Sequence, residues 1–250
     1  SSDLTPCATA ASAACDPVSP FDHERNAMTD AGLPPEAPHE EEVDVLPPGT
    51  LIAVVDPLCG WCWGAAPALT RLAASGLRLE IVASGLFIGD RPMTPDFADY
   101  AWKNDQRIAA LTGQVFSEAY REKVLGQTDG KIDSGPATLA LTAVQLREPE
   151  KALAVLHALQ AARWVDGLDI TAEPVVADVL RRAGVAEATV ATFLAEDDVV
   201  IDALNQRATF ARELLTQLEA RGVPTLVRVT ETGAVRIEAK VLFEDLDNVV

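Results

Sequence analysis

The chain has 250 residues and a formal net charge of −18, from 38 acidic and 20 basic residues. This charge repels nucleic-acid phosphates and anionic lipid surfaces, so we expect no nucleic-acid partner. Apolar residues make up 48% of the sequence, yet no apolar run approaches the roughly 18 residues that a membrane helix needs. The composition therefore predicts a globular protein without membrane insertion.

Residues 1–48 differ from the rest of the chain, because they are rich in Ala, Pro, Ser and acidic residues. Such a segment buries too little apolar surface to offset its chain entropy, which predicts an irregular acidic N-terminal extension. For its Cys7 and Cys15 we expect a local structural disulfide; an intermolecular bridge, a metal clip and free thiols are the alternatives. Paired cysteines favour an oxidising compartment. We therefore expect a periplasmic protein whose signal peptide has been removed, with the cytoplasm as the alternative.

The rest of the chain shows the patterns of a mixed α/β protein. Apolar runs predict strands at 50–56, 77–84, 225–230 and 234–239. Apolar stripes and stop signals predict helices at 59–75, 95–113, 116–125, 136–147, 150–166, 172–184, 186–194 and 197–220. The order of elements is β-α-β, then a helical insertion, then α-β-β.

The motif Cys59-Gly60-Trp61-Cys62 follows the first predicted strand and opens the first predicted helix. Residues three positions apart share one face of a helix, so the two sulfurs can react together. The free N–H groups and the macrodipole at a helix start favour a thiolate at Cys59, and the thiolate is the species that attacks disulfides. The motif therefore predicts a redox site; half of a metal site and an inert structural pair are the alternatives.

A second motif, Gly222-Val223-Pro224-Thr225, lies far downstream and opens another apolar strand. A proline at a strand start is tolerated because it removes only one donor from the sheet. The bond before Pro224 is either an ordinary trans bond or a cis bond whose loop packs against the cysteine pair. In the second case, the backbone of Val223 is free to pair with a bound peptide as an added strand.

Together, these segments resemble the DsbA-like thioredoxin-fold proteins, in the branch described as predicted protein-disulfide isomerases. The similarity extends over about residues 50–240, and it rests on the segments 56–64, 85–89, 108–116, 133–137, 159–164 and 222–225. This resemblance implies that Cys59 is the nucleophile, Cys62 the resolving thiol and Pro224 a cis proline.

With the order of elements, the resemblance predicts the fold class: α/β, a thioredoxin fold with an inserted all-helical domain, preceded by the irregular acidic extension. The expected boundaries are 49–90 together with 195–250 for the thioredoxin-like domain, and 91–194 for the insertion.

The sequence departs from better-known members of this family in two places. The residues between the cysteines are Gly60 and Trp61, so no histidine is available there to stabilise a thiolate. Thioredoxin-like proteins often bury a carboxylate six residues before the first cysteine, where this chain has Ala53. The nearest acid is Asp56, which is either a turn residue or a proton-transfer group.

The expected function is thiol–disulfide exchange on unfolded or misoxidised protein substrates, with a redox partner protein and undetermined direction. Trp61, Val223 and Thr225 are the expected substrate-binding residues, with Trp61 exposed as an apolar platform. No cofactor or metal is expected, because the dithiol is itself the redox group. Two alternatives remain: a glutathione-dependent isomerase or transferase of related fold, and a soft-metal-binding module that uses the cysteine pair.

Overall fold

The computed structural model describes residues 46–127, 129–244 and 246. Most of the predicted extension, including Cys7 and Cys15, lies outside the described residues. Within these ranges, no helix combines the length and apolar character required to cross a membrane.

The strands form a four-stranded sheet and a separate two-stranded one. In chain order they are β1 (Leu51–Val55), β2 (Leu79–Ala83), β3 (Arg91–Pro92), β4 (Lys131–Ile132), β5 (Thr225–Thr230) and β6 (Gly233–Ile237). The larger sheet has the order β2-β1-β5-β6. Strand β1 is parallel to β2, with Leu51 opposite Leu79, and antiparallel to β5, with Leu51 opposite Arg228.

The helices lie between and around these strands. They are α1 (Gly60–Gly64), α2 (Ala66–Ala74), α3 (Pro95–Thr112), α4 (Glu118–Tyr120), α5 (Gly135–Arg147), α6 (Ala152–Trp164), α7 (Glu173–Arg182), α8 (Glu187–Leu194) and α9 (Asp198–Gln217). A π-helical turn, Arg121–Leu125, follows α4, and short 3-10 turns span Pro149–Lys151 and Ala239–Leu242.

The first predicted helix was wrong in one respect, because it divides into α1 and α2 at Ala65. Pro67 stands in the first turn of α2 and has no N–H to donate to the preceding turn, so the proline explains the break. The helix predicted at 116–125 is likewise only a short α-helix that continues as the π-helical turn.

Strand β1 is buried on both faces, which explains its uninterrupted apolar sequence. Ala53 and Val55 belong to the core cluster that includes Leu72 of α2 and Leu141 of α5. On the opposite face, Ile52 and Val54 pack with residues of α9 and β5: Ala211, Leu214 and Val227. Two helical layers therefore enclose the sheet, and α1 begins beyond the carboxyl end of β1, with four residues between the two elements.

This arrangement confirms the predicted fold class of a thioredoxin-like sheet with helices inserted between β2 and α9. The small β3–β4 sheet was not predicted, because two-residue strands are too short to show a period in the sequence.

Candidate active site

The two cysteines of the motif occupy the start of α1. Cys59 is the N-cap residue, with extended backbone (φ −86°, ψ 114°), and its carbonyl oxygen accepts a hydrogen bond from Trp63 N–H at 3.1 Å. Cys62 lies inside the helix. Both are free thiols, and Cys59 is 7% exposed whereas Cys62 is completely buried. Cys59 is therefore the sulfur that a substrate can reach first.

The loop before β5 lies directly against Cys59. The Cys59 Sγ donates to the carbonyl oxygen of Val223 at 3.5 Å, although the two residues are 164 positions apart. The Val223–Pro224 peptide bond is cis. The Thr225 hydroxyl donates to the Gly222 carbonyl oxygen at 2.6 Å, so its side chain braces this loop from within. The antiparallel pairing of β5 with β1 brings the loop to the end of β1 where the cysteines lie.

Asp56 connects three segments of the chain beneath the cysteines. Its carboxylate accepts hydrogen bonds from Leu58 N–H at 2.9 Å, from Phe87 N–H at 3.2 Å and from the Ser134 hydroxyl at 3.0 Å. The bond to Leu58 forms an Asx turn that leads the chain into α1. The contact of Asp56 with Cys62 is made by its backbone, since Asp56 N–H donates to the Cys62 Sγ at 3.4 Å.

Burial determines the ionisation of Asp56 and of Cys62. Asp56 is completely buried, and burial raises the pKa of its carboxyl group from 3.8 to about 6, against the lowering effect of its hydrogen bonds. Burial also raises the pKa of the Cys62 thiol well above its ordinary value, and the neighbouring Cys59 sulfur raises it further. The Cys62 thiol is thus protonated at neutral pH.

A second buried carboxyl group lies against the residues between the cysteines. A Cβ atom on Gly60 would stand 2.5 Å from Asp105 Oδ1, so only glycine fits at position 60 unless the Asp105 side chain moves. The Tyr120 hydroxyl donates to Asp105 Oδ2 at 2.9 Å. Burial raises the pKa of Asp105 to about 7, although the Tyr120 hydrogen bond and the positive charge of Arg163 both act to lower it.

The two tryptophans of the motif have different surroundings. Trp63 is buried, as expected; it stacks on Trp164 with ring centroids 6.1 Å apart, and its Nε1 donates to the Val115 carbonyl oxygen at 3.0 Å. Trp61 is only half-buried, rather than the exposed platform that was expected, because its ring packs edge-on against Phe243 at 5.4 Å.

A cavity of about 300 Å³ opens beside Cys59, between α1, α3 and α6. We call it the Cys59 cavity. Its aromatic walls include Trp61, Phe87, Phe97, Tyr120 and Trp164, and its polar lining includes Asn104, Asp105 and Arg163. In the described part of the chain, no three His, Cys, Asp or Glu side chains come together as a metal site would require.

Sequence reasoning missed the roles of Ser134, Asp105 and Arg163. Ser134 stands where an N-cap residue of α5 would, so its sequence context indicates a cap, yet its hydroxyl bonds Asp56 instead. The one available signal for Arg163 was a positive charge in α6, whose other residues are mostly apolar. Nothing in the local sequence distinguishes Asp105 from the exposed acids of α3.

Solved structures similar to this chain include proteins that are described as a disulfide reductase and a protein disulfide isomerase. The cytosolic disulfide reductase DsbM from Pseudomonas aeruginosa is 29% identical, with a TM-score of 0.72; 80% of this chain and 95% of that one are covered. A second structure of that protein, with GSH, gives a TM-score of 0.70 at the same identity and coverage. A putative protein disulfide isomerase from Nitrosomonas europaea is 24% identical over 80% of this chain and 96% of that one, with a TM-score of 0.62, which shows a shared fold.

No curated protein shows significant sequence similarity to the chain. The model of the DSBA-like thioredoxin domain, however, matches residues 50–239, which is most of the chain and includes both cysteines and Pro224. This chain belongs to the DSBA-like thioredoxin domain family of thiol–disulfide oxidoreductases.

Proposed function

We propose that the chain exchanges disulfides with protein substrates, with Cys59 as the nucleophile and Cys62 as the resolving thiol. The observation that carries the proposal is the position of Cys59. Its sulfur lies at the first turn of α1, is the more exposed of the pair, and meets the Val223 carbonyl oxygen of a loop from the other end of the chain.

The electrostatic interaction between Cys59 and Cys62 supports a reaction in which Cys59 attacks first and Cys62 then resolves the mixed disulfide. The Cys59 sulfur raises the pKa of Cys62. When Cys59 is joined to a substrate sulfur it carries no charge, so this contribution disappears while the mixed disulfide exists. Cys62 then loses its proton more readily and attacks the Cys59 sulfur, which releases the reduced substrate and leaves a Cys59–Cys62 disulfide.

In this proposal the 222–225 loop holds the substrate. The backbone of Val223 pairs with an extended substrate segment as an added strand, Pro224 shapes the loop, and Thr225 braces it through Gly222. Trp61 offers one half-buried aromatic face beside the reacting sulfur.

One neighbouring protein supports a proposal for the direction of exchange and the compartment. The Pseudomonas aeruginosa relative is described as a cytosolic disulfide reductase, so we favour reduction of substrates in the cytoplasm over the periplasmic location that the cysteine-bearing extension suggested. Equilibrium titration of the Cys59–Cys62 couple against a glutathione redox buffer tests this: a reductase has a potential near that of thioredoxin, about −270 mV, and an oxidase one near −120 mV.

The exchange itself is tested by paired substitutions and an insulin-reduction assay. Cys59→Ser should abolish turnover, whereas Cys62→Ser should accumulate a mixed disulfide with substrate on Cys59, identified by mass spectrometry. A Cys7→Ser/Cys15→Ser double variant is the control and should turn over as the wild type does. Turnover by Cys59→Ser, or a substrate trapped on Cys62 in place of Cys59, would contradict the assignment.

Glutathione is a second candidate substrate, and one observation favours it: the relative at 29% identity was also solved with GSH. A transferase or isomerase that only uses glutathione as a cofactor is less well supported, because such relatives usually have a serine in place of the cysteine pair that this chain retains. The metal-binding alternative would require ligands beyond the two thiolates, and none gather around them among the described residues.

A further inference from the structure

Arg163 is a buried cation without enough acceptors. Only 3% of the residue is exposed, and its Nε and Nη1 atoms find no hydrogen-bond acceptor among the described residues. Arginine keeps its charge at any physiological pH, and a buried charge without hydrogen-bond partners is costly. The guanidinium carbon lies 5.5 Å from the centroid of the Tyr120 ring, which offsets only part of that cost.

Asp105 does not neutralise Arg163 by a direct ion pair. Its Oδ2 accepts the Tyr120 hydroxyl, its Oδ1 faces Gly60, and no hydrogen bond joins it to the guanidinium. Since the pKa of Asp105 is about 7, a large fraction of it is protonated at neutral pH. The unsatisfied donors of Arg163 therefore remain available to an anion that occupies the cavity.

The position of Arg163 in the cavity indicates the chemical class of the ligand. Arg163 and Cys59 line the same cavity of about 300 Å³, whose walls are aromatic. The chain as a whole has a charge of −18, so an anion is attracted only where a local cation outweighs the general repulsion. A planar carboxylate matches the fork of N–H donors on a guanidinium, and a sulfur on the same small molecule would lie toward Cys59.

We propose that the Cys59 cavity binds a small carboxylate-bearing thiol, with Arg163 holding the carboxylate and the thiol placed against the Cys59 sulfur. This proposal rests on the proposed function, and it adds the class of molecule that reduces the enzyme and the residue that selects it.

In the proposed exchange, two small thiols supply the two electrons that reduce the Cys59–Cys62 disulfide. The thiolate of the first small molecule attacks Cys59 Sγ in the Cys59–Cys62 disulfide; that S–S bond breaks, and Cys62 leaves as a thiolate and takes up a proton. A second thiolate attacks the small-molecule sulfur of the mixed disulfide and releases Cys59. Two small thiols are oxidised to one disulfide, and the enzyme disulfide is reduced to a dithiol.

The test compares glutathione with its diethyl ester, which differs from it only in the carboxylates, and with dithiothreitol, a thiol reductant without a carboxylate. The full-length oxidised protein is mixed with glutathione, with glutathione diethyl ester, or with dithiothreitol, at equal thiolate concentrations, and the loss of the Cys59–Cys62 disulfide is followed by acid quenching, alkylation and mass spectrometry. Arg163→Gln removes the cation, and Arg181→Gln, a surface arginine on α7 paired with Glu187, is the matched control.

We expect glutathione to reduce the wild type and Arg181→Gln about tenfold to hundredfold faster than the diester does, the size expected for one buried charge-assisted hydrogen-bonded pair. Arg163→Gln should lose this preference, so that glutathione and its diester reduce the variant at similar rates. Equal rates for glutathione and diester in the wild type would overturn the proposal even if Arg163→Gln does not fold. Failure of all three reductants to reduce the wild type would instead refute the proposed function.

Discussion

Replacing Asp56 with asparagine removes a carboxyl group that is completely buried beneath the active-site helix. Burial raises its pKa from 3.8 to about 6 in the folded protein. For a carboxyl group with a raised pKa, the stability that it contributes is fully present below the unfolded value and is lost as the pH rises through the folded value. Wild-type stability should therefore decline between about pH 4 and pH 6.5 through Asp56.

The size of this decline follows from the two pKa values. The difference between 3.8 and about 6 corresponds to ~3 kcal/mol of unfolding free energy. Asparagine does not titrate, so Asp56→Asn should lose this part of the pH dependence. Its amide NH2 cannot accept the hydrogen bond of Phe87 N–H or Ser134, which costs ~1–3 kcal/mol at every pH. The variant should therefore be less stable than the wild type at pH 4 and close to it at pH 7.

Urea unfolding at pH 4, 5, 6 and 7, followed by tryptophan fluorescence, measures this difference. Glu148→Gln is the control of opposite sign. The hydrogen bonds of Glu148 with Lys151 and Thr189 lower its pKa from 4.5 to about 2. Its contribution to stability is therefore present above pH 4.5 and is lost as the pH falls toward 2. If the stability curves of Asp56→Asn and the wild type run parallel between pH 4 and 7, the pKa of the Asp56 carboxyl group is not raised in the folded protein, which would contradict this prediction.

The same variant separates the two roles that the sequence left open for Asp56. The ionised carboxylate raises the pKa of Cys62, and its oxygens bond Leu58, Phe87 and Ser134 rather than sulfur. If Asp56 is a turn residue, Asp56→Asn should speed the resolution of a pre-formed mixed disulfide at pH 8. A proton-transfer group would show the reverse, a slower resolution step.

Three further outcomes are expected. Gly60→Ala places a methyl group 2.5 Å from Asp105 Oδ1, and urea unfolding should show a loss of ~1–3 kcal/mol in stability. Gly222→Ala is the control: the space around Gly222 is open, so its stability should stay within ~0.5 kcal/mol of the wild type. Leu156→Ala empties a fully buried position of α6 and should cost ~2–5 kcal/mol; a smaller loss would mean that the core there collapses around the gap. Removing residues 1–45 should change insulin-reduction turnover by less than about tenfold, because a segment of that composition contributes little to a core.

The cysteine motif and the main elements could be read from the sequence because their signals are local. The apolar run of β1, the helical stripe that follows it and the three-residue spacing of Cys59 and Cys62 all lie within a few turns of chain. The break at Ala65 was missed although its cause, Pro67, is also local, because the proline lies within a stretch that is otherwise strongly helical.

Only the tertiary structure decided what surrounds the sulfurs. The Cys59 contact with Val223 spans 164 positions, and the Asp56 contact with Ser134 spans 78. No period in the sequence indicates which acid of α3 faces Gly60, or that the one arginine of α6 that lines the Cys59 cavity lacks acceptors. The sequence thus determined the redox motif of this protein through neighbouring residues, whereas the ionisation of Asp56, Cys62 and Asp105 arises from burial, which depends on how distant segments pack together.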